Sequence, residues 1–311
     1  MLYVATLAAP AGSGALTEAL LRKVAGDLPS GVGPNWLSQG EAADIAFWPK
    51  EAGLFEGRNE FEFIQEQLTD LRSLAGTAPV DCIIQRNDGA RRKKLLIADM
   101  DSTMIGQECI DELAAYVGKK DHVAAITGRA MRGEIAFEPA LRERVALLKG
   151  LPATVAQDII AKSITLTPGG KTLVATMRAH GAYAALVSGG FTLFTRPIAA
   201  KLGFDENRAN ELLLASDCLT GEVREPILGQ QAKLDALLET SAKLGIPPDA
   251  SFAVGDGAND LAMLGSAGLG VAYHARPAVA AAARARVDYC DLTALLFAQG
   301  YRRDEFAAVD S

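Results

Sequence analysis

Three short strings of oxygen-bearing side chains follow apolar runs in this chain, and together they could hold a cation and an anion side by side. The first, Asp99-Met100-Asp101-Ser102-Thr103, comes directly after Leu95–Ala98. Two carboxylates at i and i+2 after a strand can project into the one crevice that an α/β sheet offers. The second, Ser188-Gly189-Gly190, follows Tyr183–Val187, and a strand that runs through Ser-Gly-Gly into a helix makes a backbone-amide nest for an anion. The third, Gly255-Asp256-Gly257-Ala258-Asn259-Asp260, follows Ser251–Val254. Its acidic and amide side chains crowd unpaired negative charge where desolvation is costly. A bound divalent cation relieves that cost, and an oxygen-only ligand set favours Mg²⁺. Lys233, near the start of a helix between the second and third strings, adds a positive charge. Singly, these are a chance acidic pair, a tight turn and a surface lysine; the chemistry rests on their joint occurrence, in this order, at strand ends.

The elements that must position these residues are legible in the hydrophobic pattern. With 311 residues, 49% of them hydrophobic and 22% charged, the chain suggests about two domains with ample core material. Disordered, fibrous and coiled-coil classes are excluded. A net charge of −7 and a pI near 5.2 argue against wholesale nucleic-acid binding, so an anionic substrate needs local positive charge or a metal. Cys82, Cys109, Cys218 and Cys290 lie far apart without a CxxC pair and read as inert thiols of a reducing compartment. No segment reaches the roughly 20 apolar residues of a membrane helix. Met1–Thr17 lacks a basic start and is broken early by Pro10 and Gly12, so a cytoplasmic location without membrane association is expected.

From Leu95 onward, apolar strands (Leu95–Ala98, Tyr183–Val187, Ser251–Val254, Leu269–Ala272, Val287–Tyr289) alternate with helical patterns such as Gln230–Leu244. That alternation implies a doubly wound, mainly parallel α/β sheet. The long, mostly helical stretch at about 104–180 exceeds one crossover and reads as a helical insertion over one end of the sheet. Residues Glu211–Val223, with Thr220-Gly221 as the turn, read as a hairpin. Before the sheet, strand, helix, strand, helix and strand succeed one another, a small α+β unit over residues 1–88, with 89–311 as the second domain. Between them, Asn87–Lys94 is polar and basic and reads as a solvated linker.

The set of strings resembles the haloacid dehalogenase (HAD) superfamily of aspartate-nucleophile phosphatases, whose motifs are DxDx[TV], S/T, K and GDxxxD. Asp99 and Asp101, Ser188, Lys233, and Asp256 with Asp260 occupy those positions. Within it, the Asp99–Thr103 string, Met131–Val145 and Val187–Phe191 resemble the phosphoserine phosphatase family. The resemblance implies Mg²⁺-dependent hydrolysis of O-phospho-L-serine, the last step of serine biosynthesis. It makes Asp99 the nucleophile that forms an aspartyl-phosphate and Asp101 the general acid and base. The metal would be held by Asp99, the Asp101 main-chain carbonyl and Asp256, with Asp260 supporting the shell. A carboxylate approaching a phosphate dianion meets repulsion on the order of 8 kcal/mol at effective dielectric 20, which the metal and Lys233 offset.

The resemblance further implies that Ser188, Gly189 and Lys233 bind the phosphate and that Asn259 orients substrate or nucleophile. In the inserted cap, Glu108 pairs with the substrate ammonium, Arg144 with its carboxylate, and Phe137 closes over it. In element order alone the N-terminal unit resembles the ACT-like domains of some of these enzymes; dimerisation to a homodimer, amino-acid sensing or neither remain open for it. The alternatives are a HAD phosphatase or phosphotransferase for another small amino-acid or alcohol phosphate, a non-catalytic amino-acid-binding regulator, and a nicotinamide oxidoreductase.

Overall fold

The computed structural model describes residues 2–49, 59–131 and 134–309. In the N-terminal part, β1 (Tyr3–Ala8), α1 (Glu18–Asp27), β2 (Asn35–Ser38), β3 (Ala42–Phe47), α2 (Glu60–Ala75) and β4 (Asp81–Arg86) follow one another. The sheet is antiparallel throughout, in the order β2-β3-β1-β4. Alternation along β1 sends Tyr3, Ala5 and Leu7 towards Leu21 and Val24 of α1 and Phe63, Leu68 and Leu71 of α2. Both helices start where the side chains dictate: the Thr17 hydroxyl accepts from the Leu20 amide, and Asn59 and Glu62 form a capping box. Strand β2 is absent from the hydrophobic pattern because Asn-Trp-Leu-Ser is a short, mostly polar edge.

The second part contributes β5 (Leu95–Ala98), α3 (Cys109–Tyr116), α4 (Lys120–Met131), α5 (Phe137–Ala146), α6 (Val155–Lys162), α7 (Gly170–Ala179), β6 (Tyr183–Phe191), α8 (Thr192–Leu202) and β7 (Glu206–Asn210). It continues with β8 (Leu212–Ala215), β9 (Cys218–Val223), α9 (Gln230–Leu244), β10 (Ser251–Gly255), α10 (Leu261–Ser266), β11 (Leu269–Tyr273), α11 (Pro277–Ala282), β12 (Ala285–Val287) and α12 (Ala294–Ala298). Six of these strands form one parallel sheet in the order β12-β11-β10-β5-β6-β7.

Both faces of that sheet are covered, which is why its strands read as continuous apolar runs. Leu95 and Ile97 of β5 pack with Ala236 and Leu237 of α9 and with Met263 and Leu264 of α10. Leu96 and Ala98 face the other way, towards Leu173 and Met177 of α7, Phe194 and Ile198 of α8, and Leu295 of α12. The chain steps outward from β5 through β6 to β7, then returns to β10 on the far side of β5. The order therefore reverses between β5 and β10, and the crevice at their carboxyl ends is where such sheets bind ligands.

Helices α3 to α6 leave and re-enter the sheet through two stems. An Ile105–Leu166 bridge joins them, with the Gly106 amide on the Thr165 carbonyl and the Thr167 amide on the Met104 carbonyl, both at 3.0 Å. Helix α7 packs back on the sheet.

Several sequence expectations need correction. The hairpin turn lies at Ser216-Asp217, both left-handed, rather than at Thr220-Gly221. Gly221 has φ +85 and sits against Ala146 and Lys149, where a Cβ would come 3.0 Å from the Lys149 Cβ. The last sheet strand is Ala285–Val287, two residues earlier than expected, because the interrupting Arg286 sits on a sheet edge. The polar edge strand β7 was not expected at all. The basic run 91–94 is not a solvated linker either. Arg91 forms a bidentate pair with Asp44 (2.6 and 2.8 Å) and donates to Thr6 Oγ1 and the Ala298 carbonyl. Lys93 is buried with Nζ on the Asp249 carbonyl, and Arg92 pairs with Glu305. The Arg91 contacts tie the N-terminal sheet to α12, while those of Lys93 and Arg92 stay within the second part.

Candidate active site

At the reversal point the three strings meet. Hydrogen bonding between β5 and β10 continues one step past the strand, through the Asp99 amide and the Val254 carbonyl at 3.0 Å, which fixes where Asp99 leaves the sheet. Buried Met100 then turns the chain, its carbonyl accepting from the amides of Thr103, Met104 and Ile105. Ser102 lies in the left-handed region at φ +56, a conformation a non-glycine residue keeps only when its surroundings enforce it. Its hydroxyl donates to Glu108 Oε1 at 2.6 Å.

Lys233 organises the floor. It enters from the first turn of α9, is 2% exposed, and places Nζ 2.7 Å from Asp99 Oδ1 and 2.6 Å from Asp260 Oδ1. Asp260 Oδ2 accepts the Gly257 amide at 2.9 Å, so both oxygens of this fully buried carboxylate are engaged. Asp99 Oδ1 also takes the Met100 amide at 2.8 Å, which leaves Oδ2 uncommitted among the described residues. Asp256 Oδ1 accepts from the Thr103 hydroxyl at 3.0 Å.

Opposite stands Asp101, whose Oδ1 accepts the Cys109 amide at 3.0 Å and whose Oδ2 takes the Ser188 hydroxyl at 3.3 Å. Asp101 thus caps the first turn of α3 from a preceding loop. Ser188-Gly189-Gly190 forms the irregular end of β6, where the pairing to β7 shifts register, rather than the first turn of α8. The Gly190 amide donates to Ser188 Oγ at 2.8 Å. A Cβ on Gly190 would lie 2.8 Å from Asp101 Oδ2, so any larger residue there would push the Asp101 carboxylate aside.

Phe137, at the start of α5, rests its ring against Gly189 and Gly229. Asn259 lies in the turn after β10, its Oδ1 folded over Gly257. Arg144 donates to the Ala140 carbonyl at 3.2 Å and Thr127 Oγ1 at 3.3 Å. Burial pulls its guanidinium down, while the charges of Asp111 and Glu108 oppose that. Of the Met131–Val145 string, Arg132 and Gly133 lie outside the described residues.

The electrostatics are unbalanced. Ligand oxygens of Asp99, Asp256 and Asp260 lie within 4.8 Å of one another, against one ammonium. Burial and then Asp260 push Asp99 well up. Burial and Glu108 push Asp101 up to about 6, and burial and Asp260 do the same to Asp256. Burial works against the charge of Lys233, but Asp99 and Asp260 outweigh it and keep the ammonium protonated. Clustered carboxylate oxygens with too little positive charge suit a hard divalent cation.

Sequence reasoning missed Asn210. This buried residue donates to the carbonyls of Gly189 and Leu228 and accepts the Leu228 amide. It thereby ties the Ser188 turn to the approach of α9. No local pattern marks it, because its strand β7 forms only by pairing with β6.

Residues 96–265 match the model of the haloacid dehalogenase-like hydrolases. The chain belongs to that family. A similar solved structure is a HAD family hydrolase from Salmonella enterica serovar Typhi, with TM-score 0.80 and 27% identity over 97% of this chain and 99% of that one. A probable phosphoserine phosphatase from Vibrio cholerae superposes with TM-score 0.74 at 31% identity, covering 98% of this chain and 88% of that one. Among relatives by sequence, a phosphoserine phosphatase of Albidiferax ferrireducens is 46% identical over 208 residues, 65% of this chain and 88% of its own length. One from Mycobacterium tuberculosis is 43% identical over 221 residues, 71% of this chain. This HAD chain spans about half the length, 54%, of that relative and of one from Streptomyces coelicolor. Among the described residues no helix is long and apolar enough to cross a membrane. All four cysteines are free, and burial pushes Cys82 up to about 12.

Proposed function

We propose that this HAD hydrolase is a phosphoserine phosphatase that converts O-phospho-L-serine and water to L-serine and inorganic phosphate, with Mg²⁺ as cofactor. The observation that carries the reading is the Lys233 ammonium held between Asp99 and Asp260, with Asp256 beside them and Ser188 and Asp101 on the facing wall. The names and identities of the relatives support the choice of substrate.

Asp99 Oδ2 attacks phosphorus, and the bond to the seryl oxygen breaks with its electron pair. Asp101, whose affinity for a proton is raised by burial and Glu108, passes a proton to that oxygen. The resulting aspartyl-phosphate is cleared when Asp101, now a carboxylate, takes a proton from water; the water oxygen bonds to phosphorus, and the bond to Asp99 breaks. Lys233, the Ser188 hydroxyl and Gly189 hold the phosphate oxygens, and Asn259 orients the reactants. Asp99, the Asp101 main-chain carbonyl and Asp256 would hold the metal, with Asp260 supporting them. When bound, Mg²⁺ supplies the positive charge that lets a carboxylate approach a dianion.

Substrate choice falls to the helices over the crevice: Glu108 for the ammonium, Arg144 for the carboxylate, and Phe137 as a cover. We place the cap at α3–α6, between the Ile105–Leu166 stems, rather than out to residue 180. Residues 1–88 form the N-terminal domain and 89–311 the phosphatase domain. The βαββαβ order and the β2-β3-β1-β4 sheet support an ACT-like reading of the former, with a homodimer as its assembly.

Phosphate release from phosphoserine, with and without EDTA, for the parent and Asp99→Asn, tests the reaction. A panel of phosphate esters with Arg144→Ala tests the substrate: unchanged kcat/KM for phosphoserine in that variant overturns the assignment, in favour of another small phosphate ester.

A further inference from the structure

A cavity of about 430 Å³ is lined by Ser102 and Gly106 of the loop after β5, by the returning stem and by residues at the ends of β11 and β12, and by none of Asp99, Asp101, Ser188, Lys233 or Asp256. Its walls come from three places: Ser102 on the loop, Thr165 on the returning stem, and Tyr273 at the end of β11 with His274, Tyr289 and Asp291 on the segments after β11 and β12. Among the described residues that line it there is no lysine or arginine. Tyr273 is 5% exposed; its hydroxyl makes no hydrogen bond among the described residues, and its ring lies 4.3 Å from that of His274. His274 has φ +44, and its Nε2 is 2.9 Å from the Cys290 carbonyl, so this wall is held in a demanding conformation. Tyr289 presents an exposed ring at the mouth. Asp291 Oδ1 is used by the Thr293 amide and hydroxyl, which leaves Oδ2 for a donor from outside.

We infer that this cavity is a second ligand site, for a small aromatic amine. The ring would stack among Tyr289, His274 and Tyr273, with the ammonium at Asp291 and the aromatic faces and the Tyr273 hydroxyl as a further polar contact. The absence of cationic lining excludes phosphate esters and carboxylates, so the site does not duplicate the crevice.

Its place gives it a consequence. Gly106 and Thr165–Thr167 of the hydrogen-bonded stems form one wall, and the opposite wall is gripped by the N-terminal sheet. Asp81, buried at the start of β4, accepts the amides of Asp288 (2.7 Å), Tyr289 (3.2 Å) and Cys290 (2.9 Å). A ligand would therefore brace the stems against a wall the N-terminal part holds still, restricting α3–α6 and lowering kcat without competing with phosphate. This effect on turnover rests on the proposed phosphatase reading; binding does not.

Isothermal titration of the full chain with tyramine and with tyrosol, which carries a hydroxyl in place of the amine, separates the two. Saturable one-to-one binding of tyramine is expected, with tyrosol about tenfold weaker or more, and Tyr289→Ala and Asp291→Asn each weakening tyramine about tenfold. Tyr289 is exposed, so its variant folds. No tyramine binding, equal binding of tyrosol, or binding indifferent to both substitutions overturns the site. Competition of tyramine with inorganic phosphate overturns the placement. If phosphoserine is not turned over, the titration still decides the inference.

Discussion

Two clusters of buried charge sit in this molecule, one at the joint between the sheets and one at strand ends, and they are built on opposite principles. Between the sheets, Arg91 and Asp44 pair one to one. Both Asp44 oxygens are met by the guanidinium, Thr6 also donates to Asp44 (2.8 Å), and Arg91 donates further to the main-chain carbonyls of Ala298 and Phe297. In the crevice, Lys233 alone faces Asp99 and Asp260, with Asp256 and Asp101 close by. The first cluster is closed and balanced, as a buried ion pair must be if it is only to hold parts together. The second retains negative charge and an uncommitted carboxylate oxygen, which is tolerable only where a cation and a reacting group are expected. Charge balance, more than burial, separates the joint from the site.

Substitutions can break this contrast. Asp99→Asn should lower phosphate release from phosphoserine by at least about 10⁴-fold, while calorimetry finds a Tm no lower than the parent's, because a surplus carboxylate is removed. Asp44→Ala should do the reverse, costing about 3–5 kcal/mol in denaturant unfolding because Arg91 is left buried and unpaired. Its kcat/KM should be unchanged where the protein stays folded.

Mg²⁺ at about 100 times its Kd should stabilise the parent by roughly 2.7 kcal/mol, seen as a rise in Tm. Asp256→Asn should lose most of that rise, and an equal rise in both would move the metal elsewhere. The smallest effect is expected for Gly190→Ala. Its Cβ would sit 2.8 Å from Asp101 Oδ2 and 3.0 Å from Ser188 Oγ, so kcat should fall about 10- to 100-fold by displacement of the proton donor with little change in stability. Full activity in that variant would show that the Asp101 position is not critical.

Much of this was legible in the order of residues. Strand β5 was read at Leu95–Ala98 because an uninterrupted apolar run between Lys94 and Asp99 leaves no other boundary, and Gly245 closes α9 in the left-handed conformation its residue type allows. The edge strands β2 and β7 were not legible. Their residues are polar, and only pairing to a neighbour already in place makes them strands. The turn at Ser216-Asp217 escaped because neither residue announces a left-handed backbone as glycine does.

For the site, residue types and spacing alone determined that carboxylates, a lysine and a Ser-Gly-Gly turn would meet at strand ends, since local periodicity sets where strands stop. Only the tertiary structure decided that Lys233 bonds to Asp99 and Asp260, that Asp101 caps α3, that Asn210 ties two loops together, and that Arg91 is a buried joint rather than a solvated link. Apart from the Asp101 cap, which spans eight residues, those outcomes depend on contacts between residues far apart in the chain, where distance and desolvation select partners that no local pattern encodes.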